Sequence, residues 1–387
     1  MSVSALPASD SLTFDGEVRF LREHGPVEIL EAKGGGRVAV SAKYQGRVMT
    51  SAVSPEGKSL GWINHALIAS GKTGTPFDNY GGEDRFWLGP EGGQFALYFP
   101  PKSPFAFDNW QTPAAFQEGE WTVADRGPGR IVFTRAMKVT NYSGATFALD
   151  VTREVRLLGP ADVAARLGAP LPPSAKWVAF ETVNRITNTG GAPWTRDGGL
   201  LSVWILGMYN PTPDSVVAVP FRKDGAGEIV NDRYFGKVPG DRLQADDGFL
   251  LFKCDGKSRG KIGLGPARAL PVLGSYSASA NLLTVVQYDK PESATAYVNS
   301  MWEIQKEPYA GDVINSYNDG PTEPGKPSLG GFYEMETSSP AAALAPGASL
   351  AHTHRTFHIV GQRDALDPIA TRALGVSATR MSAGIGR

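Results

Sequence analysis

From residue 37 to residue 361 the chain runs through one extended-type segment after another, with scarcely a helical pattern between them. That scarcity constrains the fold most, because parallel strands need long crossovers that are usually helical. RVAVSAKY (37–44) and RVMTSAVS (47–54) flank Gln45-Gly46 and read as a hairpin. RIVFTRAMKVT (130–140) turns through NYSG into TFALDVTREVRLL (146–158), where Phe147, Leu149 and Val151 alternate with more polar neighbours. WVAFETVNRITN (177–188), LLSVWILG (200–207), SVVAVPF (215–221), GFLLFKC (248–254), NLLTVVQY (281–288), GDVINSYN (311–318), GFYEMET (331–337) and SLAHTHRTFHIVG (349–361) continue the series, and QFALYF (94–99) reads as a further strand. An all-β fold of two large antiparallel sheets packed face to face is therefore expected.

Helical sequence is confined to the two ends: FDGEVRFLREHG (14–25), capped by Asp15, and DALDPIATRALG (364–375), capped by Asp364. The 46 glycines exceed the roughly 27 that an average usage of about 7% predicts, and with 29 prolines they suit many short strands joined by tight connections. No fixed-period repeat argues for a propeller or solenoid. PLPPSA (170–175) and DGPTEPGKPSLGG (319–331) have strands of the same type on both sides and read as loops. One β domain spanning 1–387, with short helical segments at its ends, is the expectation.

With 38 basic and 39 acidic residues, the formal charge of -1 gives no long-range field for nucleic acid or an anionic membrane, so neither partner is expected. No apolar run reaches the roughly 20 residues of a membrane helix. MSVSALPASDSLTF lacks the basic head and apolar core of a secretory leader. The expected compartment is the cytoplasm, or the periplasm if a signal peptide has been removed. The lone Cys254 excludes an intrachain disulfide and reads as a buried small hydrophobe. GLGPARALPVLG (263–274) lacks GxGxxG, and no serine sits in a GxSxG elbow, so nucleotide binding and serine hydrolysis have no support.

Three constellations bear on chemistry. YGGEDRFWLGPEGGQ (80–94) sets Glu83, Asp84, Arg85 and Trp87 between glycine pairs. A turn has no use for that mixture, whereas a carbohydrate cleft joins an aromatic face to charged donors and acceptors. In GFYEMETSSPAAALAPGASLAHTHRTFHI (331–359) the strand period puts Glu334 and Glu336 on one face, and His352, His354 and His358 on one face of the next strand. Pairing across a loop centred near Leu344 would set Glu336 opposite His352 and Glu334 opposite His354. Such pairs serve acid-base work or, as an alternative, hold a divalent metal through His352, His354 and a glutamate. Neither a metal nor another cofactor is the expectation adopted. In INSYNDGP (314–321), Asn315, Asn318 and Asp319 beside Tyr317 suit a turn or a hydroxyl-rich ligand.

These segments also resemble a known family. MET-SSP-A followed by LAPGASLAHTHRTFHI is similar to the late segment of galactose mutarotase-like (aldose 1-epimerase-like) proteins. WVAFETVNRITNTGGAPW looks like that family's central strand and Asn-Thr-Gly turn, YQGRVMTS like its early strand, and GGEDRFWLGPEGG like a motif of an uncharacterised bacterial branch. The resemblance spans most of residues 30–360. It implies a β-supersandwich with a concave sheet that binds a small-molecule carbohydrate, a sugar or sugar acid. It also implies a late-strand glutamate as base toward the anomeric hydroxyl, the position that Glu336 matches, and a histidine that protonates the ring oxygen. That histidine follows the central strand in the family, whereas LLSVWILGMYN has none, leaving His354, or His65 in WINHAL, in its place. The implied substrate set is Glu83, Asp84, Arg85, Trp87, Asn318, Glu334 and His352, with Glu336 and His354 catalytic. Alternatives are a non-catalytic carbohydrate-binding protein and a metal-dependent lyase acting on uronic-acid sugars.

Overall fold

A computed structural model describes residues 13–74, 76–323 and 325–386. The stretch 1–12, where no leader pattern was read, and position 324 in the Pro/Gly-rich loop lie outside the described residues. The architecture is mostly β, with every paired strand antiparallel to its neighbour. A ten-stranded sheet runs in the spatial order Leu243–Ala245, Phe249–Lys253, Val216–Pro220, Val272–Ser277, Leu282–Tyr288, Ser349–Val360, Lys176–Asn188, Thr146–Leu157, Arg130–Thr140, Thr122–Gly127. Facing it, a five-stranded sheet runs Gly260–Leu264, Ile314–Asn318, Tyr333–Ser338, Ser202–Tyr209, Arg85–Gly89. A three-stranded sheet, Glu28–Glu31, Arg37–Ser41 and Arg47–Ala52, adjoins them. The expected hairpin around Gln45-Gly46 forms, and both residues take positive φ there.

Alternation decides what each face buries. Phe133, Val151, Val178 and Phe180 of the large sheet meet Phe86, Leu88, Val203 and Ile205 of the five-stranded sheet in one apolar cluster. The outer face of the large sheet is covered by helices Pro160–Leu167, Arg363–Leu374 and Ala378–Ser382, whose Leu366, Ile369, Leu374 and Met381 cluster with Val285, Phe357 and Ile359. GPADVAARLG was not read as a helix, although Pro160 opens it and the left-handed Gly168 ends it. Helix Phe14–His24 is capped by Thr13, which accepts from Gly16 N, so the expected cap Asp15 is a first-turn residue. Asp364 likewise lies inside its helix, behind Gln362. QFALYF forms no strand: Ala96 N bonds the Gly93 carbonyl and Leu97 N bonds the Pro90 carbonyl, folding the segment on itself. Among the described residues, no helix is long and apolar enough to cross a membrane.

Between the two large sheets runs a polar seam. Arg153 Nη2 donates to Asp84 Oδ1 at 2.6 Å, Thr182 Oγ1 donates to Asp84 Oδ2 at 2.8 Å, and Arg153 also reaches the carbonyls of Gly46 and Asp84. Glu83 lies 2.9 Å from both Ser51 Oγ and His358 Nε2. His352 Nε2 and His354 Nδ1 both meet Thr337 Oγ1, at 2.8 and 2.9 Å. Such a buried network is tolerable only because nearly every member finds a partner.

The expected pairing of Glu336 with His352 and Glu334 with His354 is not formed. Tyr333–Ser338 pairs with Ile314–Asn318 and Ser202–Tyr209, while Ser349–Val360 lies in the other sheet between Leu282–Tyr288 and Lys176–Asn188. Residues 339–348 carry the chain from one layer to the other. The three histidines do share a face, as expected, and that face turns toward the seam.

Two outcomes follow from this arrangement. Asp84→Ala strands the Arg153 guanidinium without its buried counter-charge and should cost about 3–5 kcal/mol in urea unfolding. Burial, reinforced by the nearby His354 charge for His352, holds these imidazoles at about 3 for His352 and about 4 for His354, below the ordinary 6.5. The native state therefore keeps them neutral, and the stability they supply above pH 6.5 is lost as pH falls toward about 4. Imidazole carbon-proton NMR should show neither ring titrating between pH 6.5 and about 4, with thermal stability declining across that window.

Candidate active site

The outer face of the five-stranded sheet is built by parity. Arg85 and Trp87 point outward from the edge strand, opposite Leu206 and Trp204; Glu336 and Glu334 stand opposite Leu206 and Met208 on the next strand. Asn315 and Tyr317 follow, and Lys261 is the register partner of Tyr317. Above this floor is a cavity walled by Phe77, Trp110, Phe107, Phe235, Trp302, Leu329 and Phe332. Four of the chain's eight tryptophans, Trp87, Trp110, Trp204 and Trp302, line it. The aromatic walls with a few charged groups suit a small polar ligand with apolar faces.

Glycine permits this packing at both ends of the Arg85–Gly89 strand. Gly81 has φ +87°, and a Cβ there would fall 2.2 Å from the Trp62 carbonyl oxygen. A Cβ on Gly92 would lie 2.3 Å from the Met301 carbonyl oxygen, so the backbone leading away from the strand passes tightly against the segment that carries Trp302.

The floor is ionic. Arg85 Nη2 donates to Glu334 Oε1 at 2.9 Å, and its guanidinium lies 3.9 Å from the Trp87 ring centroid. Lys261 Nζ donates to Glu336 Oε2 at 3.0 Å and sits 4.8 Å over Trp204, whose indole N–H donates to the same oxygen at 2.9 Å. Glu91 accepts from Trp110 Nε1 at 3.0 Å. Burial pushes the Glu334 carboxyl up to about 8, with Glu336 adding to the effect and Arg85 and Lys261 opposing it. Burial also raises the Glu91 carboxyl. Burial works against the Lys261 charge, but Glu336, Glu91 and Glu334 together hold its pKa above the ordinary value. Glu336 Oε1 and Arg85 Nε and Nη1 have no hydrogen-bond partner.

Of the residues expected at a site, Arg85, Trp87 and Glu334 line the cavity, and Glu336, fully buried, lies beneath it, bonded to the lining residues Lys261 and Trp204. Six others lie elsewhere. Glu83 and Asp84 are fully buried in the seam: Asp84 faces opposite to its neighbour Arg85, and Glu83, ahead of the strand, turns inward to Ser51 and His358. His352 and His354 are bound to Thr337, the inward neighbour of Glu336. Asn318 accepts from Gly256 N and donates to the Ser258 carbonyl, holding a loop. His65 pairs with Glu17 at 2.7 Å, against the N-terminal helix. Among the described residues, no group of three His, Cys, Asp or Glu is placed to hold a metal ion, so the donor set that His352 and His354 were to supply is not assembled.

Lys261, Trp204, Glu91, Trp110, Trp302 and Arg259 were not singled out from the sequence. Glu91 stood inside the quoted glycine-bracketed motif, and Trp204 inside LLSVWILG at the spacing of an outward face. A second hollow beside Lys138 and the 188–199 loop has, among the described residues, Lys138 as its only charged lining residue and offers no comparable chemistry.

Known proteins place this geometry in context. A protein from the cyanobacterium Synechocystis is 12% identical, with 87% of this chain and 96% of that one covered and a TM-score of 0.53, which shows a shared fold. A galactose mutarotase-like protein from Lactobacillus casei (11% identity, 86% and 100% covered, TM-score 0.49) and a galactose mutarotase related enzyme from Lactobacillus acidophilus (9%, 87% and 97%, 0.46) are also similar. No curated protein matches. A family model described as a family of unknown function, DUF6786, matches residues 12–384, and the chain belongs to that family.

Proposed function

We propose that the cavity binds a carbohydrate and that Glu336 and Glu334 move protons on it, in an aldose 1-epimerase-like interconversion of anomers. The observation that carries this reading is an ion-paired glutamate couple on one sheet face, beneath a cavity walled by tryptophans. Indole faces cover the C–H faces of a sugar ring, while carboxylates and cations take its hydroxyls. The late-strand position of Glu336 agrees with the base implied by the family resemblance. Glu334, two residues away on the same face and therefore about 7 Å along the strand, takes the role first expected of His354.

In this scheme Glu336 accepts the proton of the anomeric hydroxyl as the bond between the anomeric carbon and the ring oxygen breaks. Glu334 delivers a proton to that ring oxygen, leaving an open-chain carbonyl. Rotation about the adjacent carbon–carbon bond and the reverse transfers close the ring on the other face, returning both protons to their starting groups. Burial raises the Glu334 carboxyl against the pull of its Arg85 partner, which eases the proton uptake such a donor needs.

A second reading, binding without turnover, has its own support. Glu336 Oε2 already accepts from both Lys261 and Trp204, and no histidine lines the cavity. The two are separated by NMR exchange spectroscopy on the anomers of galactose, glucose, mannose and xylose. Catalysis predicts accelerated exchange that Glu336→Gln slows by about 10²–10⁴-fold with affinity retained; binding alone predicts calorimetric affinity and no acceleration. Neither affinity nor exchange for any of these sugars would remove the assignment.

The pH dependence has a defined sign. Because Glu334 donates only when protonated, the exchange rate should hold below and fall above pH about 8, and Glu334→Gln should be slow with that limb absent. Trp302 is half-buried, and Trp302→Ala should weaken sugar binding about tenfold or more, equivalent to ~1.4 kcal/mol, by titration calorimetry.

A further inference from the structure

Arg259 is the cavity's one cation without a counter-ion among the described residues. Arg85 is matched by Glu334 and Lys261 by Glu336, whereas no carboxylate forms an ion pair with Arg259. Asp319, close by in the chain fold, is already engaged by Tyr317 Oη and by the backbone N–H groups of Gly330 and Gly331. The third cavity carboxylate, Glu91, takes its hydrogen bond from Trp110.

The Arg259 guanidinium is also held in place. It lies 3.8 Å from the Phe235 ring centroid and 5.7 Å from that of Phe107, itself 39% exposed and stacked near-parallel on Trp110. Arg259 is half-buried and lines the cavity, so this flat cation stands on the solvent side of the aromatic wall. A guanidinium stacked on an aromatic face keeps its in-plane N–H edge for a partner, and that edge matches a carboxylate in bidentate geometry. Partial burial strengthens the attraction relative to an exposed arginine.

We infer that Arg259 selects an anionic sugar, a uronate whose carboxylate meets the guanidinium edge while its ring lies between the tryptophans. This inference rests on the carbohydrate reading above and narrows its substrate class. Arg85 and Lys261 beneath the ring already hold Glu334 and Glu336, leaving the mouth cation to discriminate.

Titration calorimetry on the full chain tests it, with galacturonate, glucuronate and mannuronate each compared with galactose, glucose and mannose and with the corresponding sugar phosphates. At least one uronate should bind about tenfold or more tightly than its parent sugar, and the gap should narrow with added salt. Arg259→Met should abolish the gap between the uronate and its parent sugar. Arg259→Lys, which keeps the charge but not the planar fork, should fall between. Equal or tighter binding of the neutral sugars overturns this inference alone, as does a preference that survives in Arg259→Met. A phosphate bound more tightly than the uronate overturns the carboxylate assignment. Binding of no sugar in any arm overturns both this inference and the carbohydrate reading.

Discussion

The contact of Asp84 with Arg153 and Thr182 fixes the edge strand from behind. Arg85–Gly89 ends the five-stranded sheet and has a ladder partner there on one side only, so its facing depends on what holds its first residues. Asp84 is anchored to the large sheet, and Glu83 to Ser51 and His358; both bind within the seam. With Asp84 turned inward, the strand period leaves Arg85 and Trp87 outward, where they meet Glu334 and Trp204. A slip by one residue would exchange the two faces, burying Arg85 in place of Asp84 and emptying the cavity floor. The acid pair in the glycine-bracketed motif thus positions the cation and indole that follow it.

The same division explains how much was legible. Long alternating segments such as Arg130–Thr140, Thr146–Leu157 and Lys176–Asn188 announce half-buried antiparallel strands, and they occur as read. The parity that set Glu334 with Glu336 is local and holds as well. Sheet membership is not local. Tyr333–Ser338 and Ser349–Val360 are close in sequence and look like a hairpin, but each finds one of its partners more than a hundred residues earlier, in Ser202–Tyr209 and Lys176–Asn188. No pattern within either strand encodes that choice. Lys261 and Trp204 escaped notice for the same reason: each is ordinary within its own strand and gains meaning only beside Glu336.

The floor gathers opposite charges under cover from water, an arrangement that costs desolvation and is seldom a source of stability. Its members shift in the directions that shared burial imposes, with Glu334 brought toward a neutral-range proton affinity and Lys261 held charged by three carboxylates. Perturbed carboxyls within an aromatic cleft are a physical signature of chemistry or ligand capture rather than of packing. The second large sheet, with its helix-covered outer face and polar seam, supplies the rigid backing such a floor requires.

The central claim is that a sugar ring sits on this face, among Trp87, Trp110, Trp204 and Trp302. A crystal structure of the chain soaked with galactose or galacturonate tests it most directly. The account predicts ring density stacked on at least one of these indoles, with a hydroxyl within hydrogen-bond distance of Glu334 or Glu336. Sugar density confined to another surface, with this cavity holding only water under saturating soak, would contradict it.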